Sequence, residues 1–479
     1  MGGIELDISK FYHTVQQFGG LQQVIEKKKW QKVADAMRVP KSGRSMSLSN
    51  FFRIARNTMS MWFKNEPSPE EVEHEFWKIV AERQQHVVVH AGNIDSSVTQ
   101  SGFPTNRSPF AKHPWNLKVL TNNSRSVLRS MGPLSGITIP TLHVGMLFTT
   151  GCWYRDPHSF PWIEYLHTGA SKIWYGIPAN GCEKFRNAMK KIVPEYCTNK
   201  PLWLPSDTAM VPPELLVQHG ASLSRTIQNS GQFVVIFPES FTSTICCGYC
   251  VSESVYFAPT MWLDLAVKAF LDIKNSCESP AFSLERLLFS IGNDPKPPFK
   301  TYLKTLEKIL PMIENIRQHE LNLRSQLTEL GLKQFERLPL VEVREKKKKS
   351  KNIEEETEQE CEICHTPCYV SMVLYPSEES IYCLPHAIEH IPKKNLKSCK
   401  LKYTYNEVLY PSEESIYCLP HAIEHIPKKN LKSCKLKYTY NENDLNELVK
   451  KISDLVSQLP NHNTKKKTPK KKVLPITEK

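Results

Sequence analysis

Seven side chains in the C-terminal third have the types and spacing of metal ligands. They are Cys361-x2-Cys364-x3-Cys368, then Cys383-x2-His386-x3-His390, then Cys399. Thiolate and imidazole donors two or three residues apart suit the tetrahedral shell of Zn(II), and nothing in the spacing points to a catalytic zinc; a structural ion is expected. Two ions need eight donors, and the eighth candidate, His365, sits awkwardly inside the first knuckle. Residues 373–407 and 408–442 are identical over 35 positions, so Cys418, His421, His425 and Cys434 repeat the second half of the set without the upstream trio. The second copy can replace the first as partner of Cys361, Cys364 and Cys368, hold its own zinc, or stay unfolded. Letter-for-letter identity points to a recent exon duplication or an assembly fault rather than a solenoid, which needs about three units.

The second chemistry is charge. The formal net charge of +13 sits at the ends: residues 1–64 hold 11 basic against 4 acidic side chains, and residues 460–479 hold seven Lys against one Glu. The stretch between them is neutral, so phosphate contact is expected at the ends rather than over the whole surface. Lys465–Lys467 and Lys470–Lys472 also fit a nuclear import signal. The other seven of the 14 cysteines are scattered before residue 300, except for Cys246, Cys247 and Cys250. That is a reducing-compartment pattern, not a disulfide framework. The first residues lack the regions of a secretory signal, and no apolar run reaches the ~20 residues of a bilayer span.

These groups need elements to hold them. Ile8, Phe11, Tyr12, Val15 and Phe18 recur at helical spacing up to Gly19-Gly20; Leu21 to Met37 and Leu48 to Trp62 continue the pattern, giving a small helical unit over 1–64 with a basic face. Glu66 to Glu71, with Pro67 and Pro69, is expected to be a linker. From Val87 to Ala258 short β-rich runs alternate with turn residues: 87–90, 145–150, 172–175, 233–237 and 254–257. Such punctuation predicts a sandwich or barrel. Helices return after Pro259, one with Ile313, Ile316, Leu323, Leu327 and Leu330 on a stripe. Residues 346–360 are a block-charged linker, and Asp444 with Glu447 fits a capping box opening an amphipathic helix over 443–459.

Gly3-Ile-Glu-Leu-Asp-Ile-Ser-Lys-Phe-Tyr12, Phe18-Gly-Gly-Leu21 and Lys29-Trp-Gln-Lys-Val-Ala-Asp35 resemble the central part of an ARID. Ser101-Gly-Phe-Pro104, His113-Pro-Trp-Asn116, Gly145-Met-Leu-Phe148, Tyr165-Leu-His-Thr-Gly169, Ile173-Trp-Tyr-Gly-Ile-Pro178 and Gly231-Gln-Phe-Val-Val-Ile-Phe-Pro238 resemble a JmjC domain. Cys361-Glu-Ile-Cys-His-Thr-Pro-Cys368 followed by Cys383 resembles the Cys5HisCys2-type finger of the same family. In this order the chain is similar to the ARID–JmjC family. The resemblance implies a multidomain α+β protein: a partial helical ARID over 1–64 whose first helices lie upstream, and a JmjC double-stranded β-helix (a cupin-like jelly roll) over 65–260 with its core at about 110–260. A helical region over 261–345, the zinc module over 361–442 and a basic disordered tail over 460–479 complete it. Lys27, Lys28, Lys29, Lys32, Arg38, Lys41 and Arg44 are expected to face DNA.

An active JmjC enzyme uses Fe(II), oxygen and 2-oxoglutarate, with iron on a 2-His-1-carboxylate triad. Its first His and carboxylate come as His-x-Asp/Glu, yet none of the 16 histidines is followed two residues later by Asp or Glu. By the resemblance the histidine positions fall on Tyr154 and Thr242, while Asp156 keeps the carboxylate. A Tyr ligand must lose a proton with a pKa near ~10, and a Thr hydroxyl is a poor donor to Fe(II). Rescue by His158 would need a re-routed strand. Lys172 matches the lysine that pairs with the cosubstrate's distal carboxylate, but Gly151, Trp162 and Glu164 fall where active members carry an aromatic, a Ser and an Asn. Glu164 repels a dianion, so Lys172 either binds a ligand or pairs with Glu164 to fill an empty pocket.

No iron is therefore expected, the residues argue against 2-oxoglutarate, and zinc is structural. The resemblance implies a nuclear, DNA-binding repressor without catalysis, whose partners are DNA, nucleosomes and histones, and the subunits of Polycomb repressive complex 2. The alternatives are an iron- and 2-oxoglutarate-dependent histone lysine demethylase, or a histone-tail reader using the empty barrel. If the basic ends contact phosphates, DNA affinity falls by about 0.9 log unit per contact for each tenfold rise in salt. Binding measured across a salt series checks this, and a salt-insensitive interaction removes the claim.

Overall fold

The computed structural model describes residues 48–82, 93–96, 101–104, 108–206, 208–294, 299–329, 334–337, 359–375, 381–382, 415–417 and 435–457, with Thr14, Gln17 and Ala36. The expected helices before residue 48, the strand over 87–90, most of the 346–360 linker and the basic tail lie outside them. Two compact units divide the chain: Met1–Leu284 with Cys364–Thr366, and Glu285–Ile363 with Pro367–Lys479.

In the first unit two helices, α1 (Leu48–Trp62) and α2 (Pro69–Ala81), precede a jelly roll. Its strands are β1 (Asn93–Asp95), β2 (Thr141–Gly145), β3 (Thr150–Tyr154), β4 (Trp162–Gly169), β5 (Lys172–Ile177), β6 (Ser224–Gln228), β7 (Phe233–Ile236), β8 (Phe241–Cys246) and β9 (Cys250–Tyr256). They form two antiparallel sheets, ordered β1-β2-β9-β4-β7 and β3-β8-β5-β6. Shorter helices α3 (Leu117–Leu120), α4 (Cys182–Ile192) and α5 (Pro213–Gln218) lie in the connections, and α6 (Leu263–Asn275) follows.

Strand alternation sorts β5 into two faces. Ile173, Tyr175 and Ile177 join a buried cluster with Val72, Phe76 and Ile79 of α2 and Phe185 and Met189 of α4. Lys172 and Trp174 point the other way, into the barrel. A polar clasp holds α2 in place: Arg225 donates to Glu73 (Nη2–Oε2 2.6 Å), Tyr175 donates to the same carboxylate, and Trp77 Nε1 donates to the Tyr175 hydroxyl at 2.9 Å. At α1, Phe51 and Ala55 pack with Val144, Met146, Tyr249 and Val251 of the jelly roll.

Two expectations are corrected here. The run over 145–150 is not one strand: Met146 N donates to Thr149 Oγ1 and Phe148 takes φ 65°, so the chain bends and passes from one sheet to the other. A jelly roll needs such corners, and local β propensity cannot place them. The supposed linker from Glu66 to Glu71 contains a helix start, where Ser68 caps α2 and exchanges hydrogen bonds with Glu71. Gly169, at φ +100°, makes another corner; a Cβ there would lie 2.1 Å from the Tyr249 carbonyl oxygen.

The second unit holds α7 (Leu284–Gly292), α8 (Phe299–Glu329) and α9 (Glu442–Ser457). It also holds β10 (Gln334–Arg337), β11 (Ser371–Tyr375), β12 (Ile381–Tyr382), β13 (Ser415–Tyr417) and β14 (Lys435–Tyr438), ordered β10-β14-β11-β13-β12. β12 comes from the first copy of the duplication and β13 and β14 from the second, so one sheet mixes both copies. Of the expected stripe, α8 buries Ile313, Leu323 and Leu327 and half-buries Ile316, while Leu330 lies outside the described residues; the helix begins earlier, at Phe299. The box at α9 is formed by Asn441 and Asp444, not by Asp444 and Glu447: each backbone N–H donates to the other's side-chain oxygen at 2.7 Å.

Candidate cosubstrate and metal site in the barrel

Inward-facing residues of both sheets enclose a cavity of about 520 Å³. Tyr154 at the end of β3 and Thr242 on β8 both line it and are register partners across the β3–β8 ladder, so the two positions that the resemblance assigns to histidine face each other. Asp156 lies two residues beyond Tyr154, at 6% exposure. Its carboxylate is engaged within its own loop, where Oδ2 accepts from Phe160 N at 2.7 Å and Oδ1 accepts from the Tyr154 hydroxyl at 3.4 Å. The Tyr154 hydroxyl also meets that of Tyr256 at 3.2 Å. Burial, and after it the Asp156 carboxylate, pushes the Tyr154 hydroxyl well above the ordinary phenol range. A neutral phenol results, whose proton serves the carboxylate beside it.

His158 belongs to the same loop. Its Nε2 accepts from Ala281 N at 2.9 Å, and its ring stacks on Phe160 and Phe282 with centroids 5.3 and 6.2 Å away. Nδ1 lies 3.8 Å from Asp156 Oδ1. One ring nitrogen is therefore occupied by the backbone, and the ring packs among aromatic side chains.

At the other side of the cavity, Lys172 Nζ donates to Glu164 Oε1 at 2.5 Å. Both residues are buried, at 6% and 3% exposure. Glu164 comes from β4 in one sheet and Lys172 from β5 in the other, so the pair bridges the barrel interior. Nζ also lies 5.1 Å from the centre of the Trp174 ring. Trp174 is held in turn by Gln228, whose Oε1 accepts from Nε1 at 2.9 Å while its amide donates to the Gln232 carbonyl. Burial alone would lower the affinity of the Lys172 amine for its proton; the Glu164 charge, with Cys246 and Cys250 nearby, outweighs it and raises the pKa. Of the two roles open to Lys172 from sequence, the geometry displays the ion pair.

Tyr256, Gln228, Cys246 and Cys250 were not singled out as site residues from the sequence. Alternation along β9 was the available signal: Cys250 and Ser252 line the cavity, and Tyr256 keeps the same period-2 phase.

At the zinc module, Cys361, Cys364 and Cys368 are buried, at 0, 1 and 6% exposure, and Cys368 N donates to Gln359 O at 2.7 Å. His365 sits between them with φ 54°. Cys383, His386, His390, Cys399, Cys418, His421, His425 and Cys434 lie outside the described residues, as do Lys27, Lys28, Lys29, Lys32, Arg38, Lys41 and Arg44. Among the described residues no three His, Cys, Asp or Glu side chains converge as a metal site.

The buried pair predicts a non-additive cost. Lys172→Met or Glu164→Leu alone leaves one uncompensated buried charge and destabilises by about 3–5 kcal/mol, whereas the double variant returns to within about 2 kcal/mol of the parent. Urea unfolding of the three variants measures this; additive losses contradict the pairing.

Comparison with known proteins agrees with this architecture. The model of the JmjC domain, hydroxylase, matches residues 141–257. That of the ARID/BRIGHT DNA binding domain matches 1–55, and that of the C5HC2 zinc finger matches 361–410. Protein Jumonji of Gallus gallus is 42% identical over 373 residues, covering 76% of this chain and 30% of that protein. Lysine-specific demethylase 5D of Homo sapiens is 30% identical over 387 residues, covering 78% of this chain and 24% of that protein. The chain thus spans less than a third of either relative. With an ARID, a JmjC jelly roll and a C5HC2 zinc finger in that order, the chain belongs to the Jumonji family.

Proposed function

We propose that this chain is a non-catalytic chromatin regulator, a nuclear repressor in which the JmjC barrel is a rigid scaffold and the basic ends contact DNA. The buried Lys172–Glu164 pair carries the reading. The cation that would hold a cosubstrate's distal carboxylate already has a carboxylate at 2.5 Å, inside a cavity where a second anion meets Glu164. The iron side of the barrel supports it. Tyr154 is a protonated phenol, Thr242 offers a neutral hydroxyl, and Asp156 is engaged by Phe160 N and the Tyr154 hydroxyl. Such a donor set does not fit Fe(II), which favours imidazole and carboxylate ligands around open positions.

In this reading Lys27, Lys28, Lys29, Lys32, Arg38, Lys41, Arg44 and the tail bind phosphates. Zinc on Cys361, Cys364, Cys368, Cys383, His386, His390 and Cys399 stabilises the finger. Similarity to Protein Jumonji supports an accessory role in the Polycomb histone methyltransferase complex, with nucleosomes as the common target.

A second reading, an iron- and 2-oxoglutarate-dependent lysine demethylase, draws on the retained Asp156 and Lys172 and on the likeness to Lysine-specific demethylase 5D. Elemental analysis and turnover separate the two. Purified chain is expected to hold one or two equivalents of zinc and no iron, and to release no succinate from 2-oxoglutarate when supplied with Fe(II) and ascorbate. Stoichiometric iron with succinate release overturns the non-catalytic reading.

A further inference from the structure

Two thiols meet at the corner where the chain passes from one sheet to the other. Cys246 ends β8 and Cys250 opens β9, with Cys247, Gly248 and Tyr249 between them. Both are buried, pack on Leu166 and line the barrel cavity. Cys246 is the register partner of Lys172 on β5, and Cys250 that of Gly145 on β2.

Gly145 is what lets the two sulfurs come together. A Cβ there would lie 2.7 Å from Cys246 Sγ and 3.2 Å from Cys250 Sγ, so both sulfurs occupy the space its missing side chain leaves. Cys246 donates a hydrogen bond to Cys250. Cys247, one residue on, turns to the opposite face and packs into the apolar cluster of α2 and α4. Burial pushes its thiol up to about 12.

The surroundings set the two thiols apart. The hydrogen bond from Cys246, helped by the nearby Lys172 ammonium, outweighs burial and holds Cys250 below the ordinary thiol range. The same bond, with burial, holds Cys246 well above it. An incipient thiolate, a protonated thiol in contact with it and a cavity of about 520 Å³ in front of both are the parts of a peroxide-reducing dithiol.

We propose that Cys246 and Cys250 form a redox-active site in the barrel wall, with a small hydroperoxide as its substrate and a disulfide as its oxidised form. The Cys250 thiolate attacks the peroxide O–O bond, which breaks; the sulfur becomes a sulfenic acid, and the departing hydroxide takes up a proton to leave as water. The Cys246 sulfur then attacks Cys250 Sγ. The S–S bond forms, the S–O bond breaks, and the hydroxide leaves as a second water with the Cys246 proton. Two electrons pass from the dithiol to the peroxide. The bridge ties β8 of one sheet to β9 of the other, beside Lys172. The pair depends on the corner and on Gly145, not on what the cavity does with a cosubstrate.

The test treats the full 479-residue chain with hydrogen peroxide under native conditions, then unfolds it, alkylates the remaining thiols and weighs the tryptic peptides. Peptide Thr226–Lys268 carries Cys246, Cys247 and Cys250 together. It is expected to lose two hydrogens and to accept one alkyl group instead of three, and dithiothreitol before alkylation restores all three. The bridge should form at least about tenfold faster than the exposed Cys277 is oxidised. Cys247→Ser should keep the bridge, and the near-isosteric Cys250→Ser should abolish it. Oxidation of Cys277 while the three thiols of this peptide still alkylate overturns the proposal. So does a bridge that survives Cys250→Ser, or one that takes in Cys152, which also lines the cavity.

Discussion

Two opposite charges buried face to face govern the barrel interior. An ammonium or a carboxylate removed from water carries a desolvation penalty of several kcal/mol, and each of Lys172 and Glu164 is tolerated there because the other is present. The pair joins two strands that share no ladder, since β4 and β5 belong to different sheets. It therefore fixes the spacing of the sheets at this level of the barrel, and Trp174, held by Gln228, closes over the ammonium. The Lys172 ammonium that lines the cavity is thus already paired within the chain.

The opposite end of the cavity follows the same logic. Asp156 is buried and accepts a backbone N–H from Phe160 together with the Tyr154 proton, while Tyr256 engages Tyr154 from β9. Tyr154 and Thr242 stand opposite each other at the two positions that the resemblance assigns to histidine. Meanwhile the outer face of the β3-β8-β5-β6 sheet stays well packed: α2 and α4 seal it with a large aromatic and aliphatic cluster, and the Glu73–Tyr175–Arg225 clasp locks α2 to it. The scaffold is thus maintained independently of the chemistry inside it.

Much of this was legible from residues. The β-rich runs at 172–175 and 233–237, set off by turn residues, identify β5 and β7, the apolar stripe at Ile313 to Leu327 identifies α8, and the resemblance that places Glu164 in the pocket of Lys172 offers their pairing as one of two roles. The corner at Phe148 was not legible, because a left-handed φ at a buried aromatic residue is imposed by the crossing between sheets and leaves no local signal. The sequence expectation places the α9 capping box one turn too late: Asp444 is an equally good cap by type, and only the backbone geometry distinguishes Ncap from N3. Tyr256 and Gln228 act through long-range contacts that one-dimensional spacing does not contain.

The central claim is that the barrel's own ion pair takes the place of a cosubstrate, and calorimetric titration of the unaltered chain with 2-oxoglutarate addresses it most directly. With Mn(II) present as a redox-inert stand-in for Fe(II), no saturable heat is predicted through the millimolar range. One-to-one binding that succinate competes away would contradict it, because Lys172 would then have exchanged Glu164 for the ligand's carboxylate.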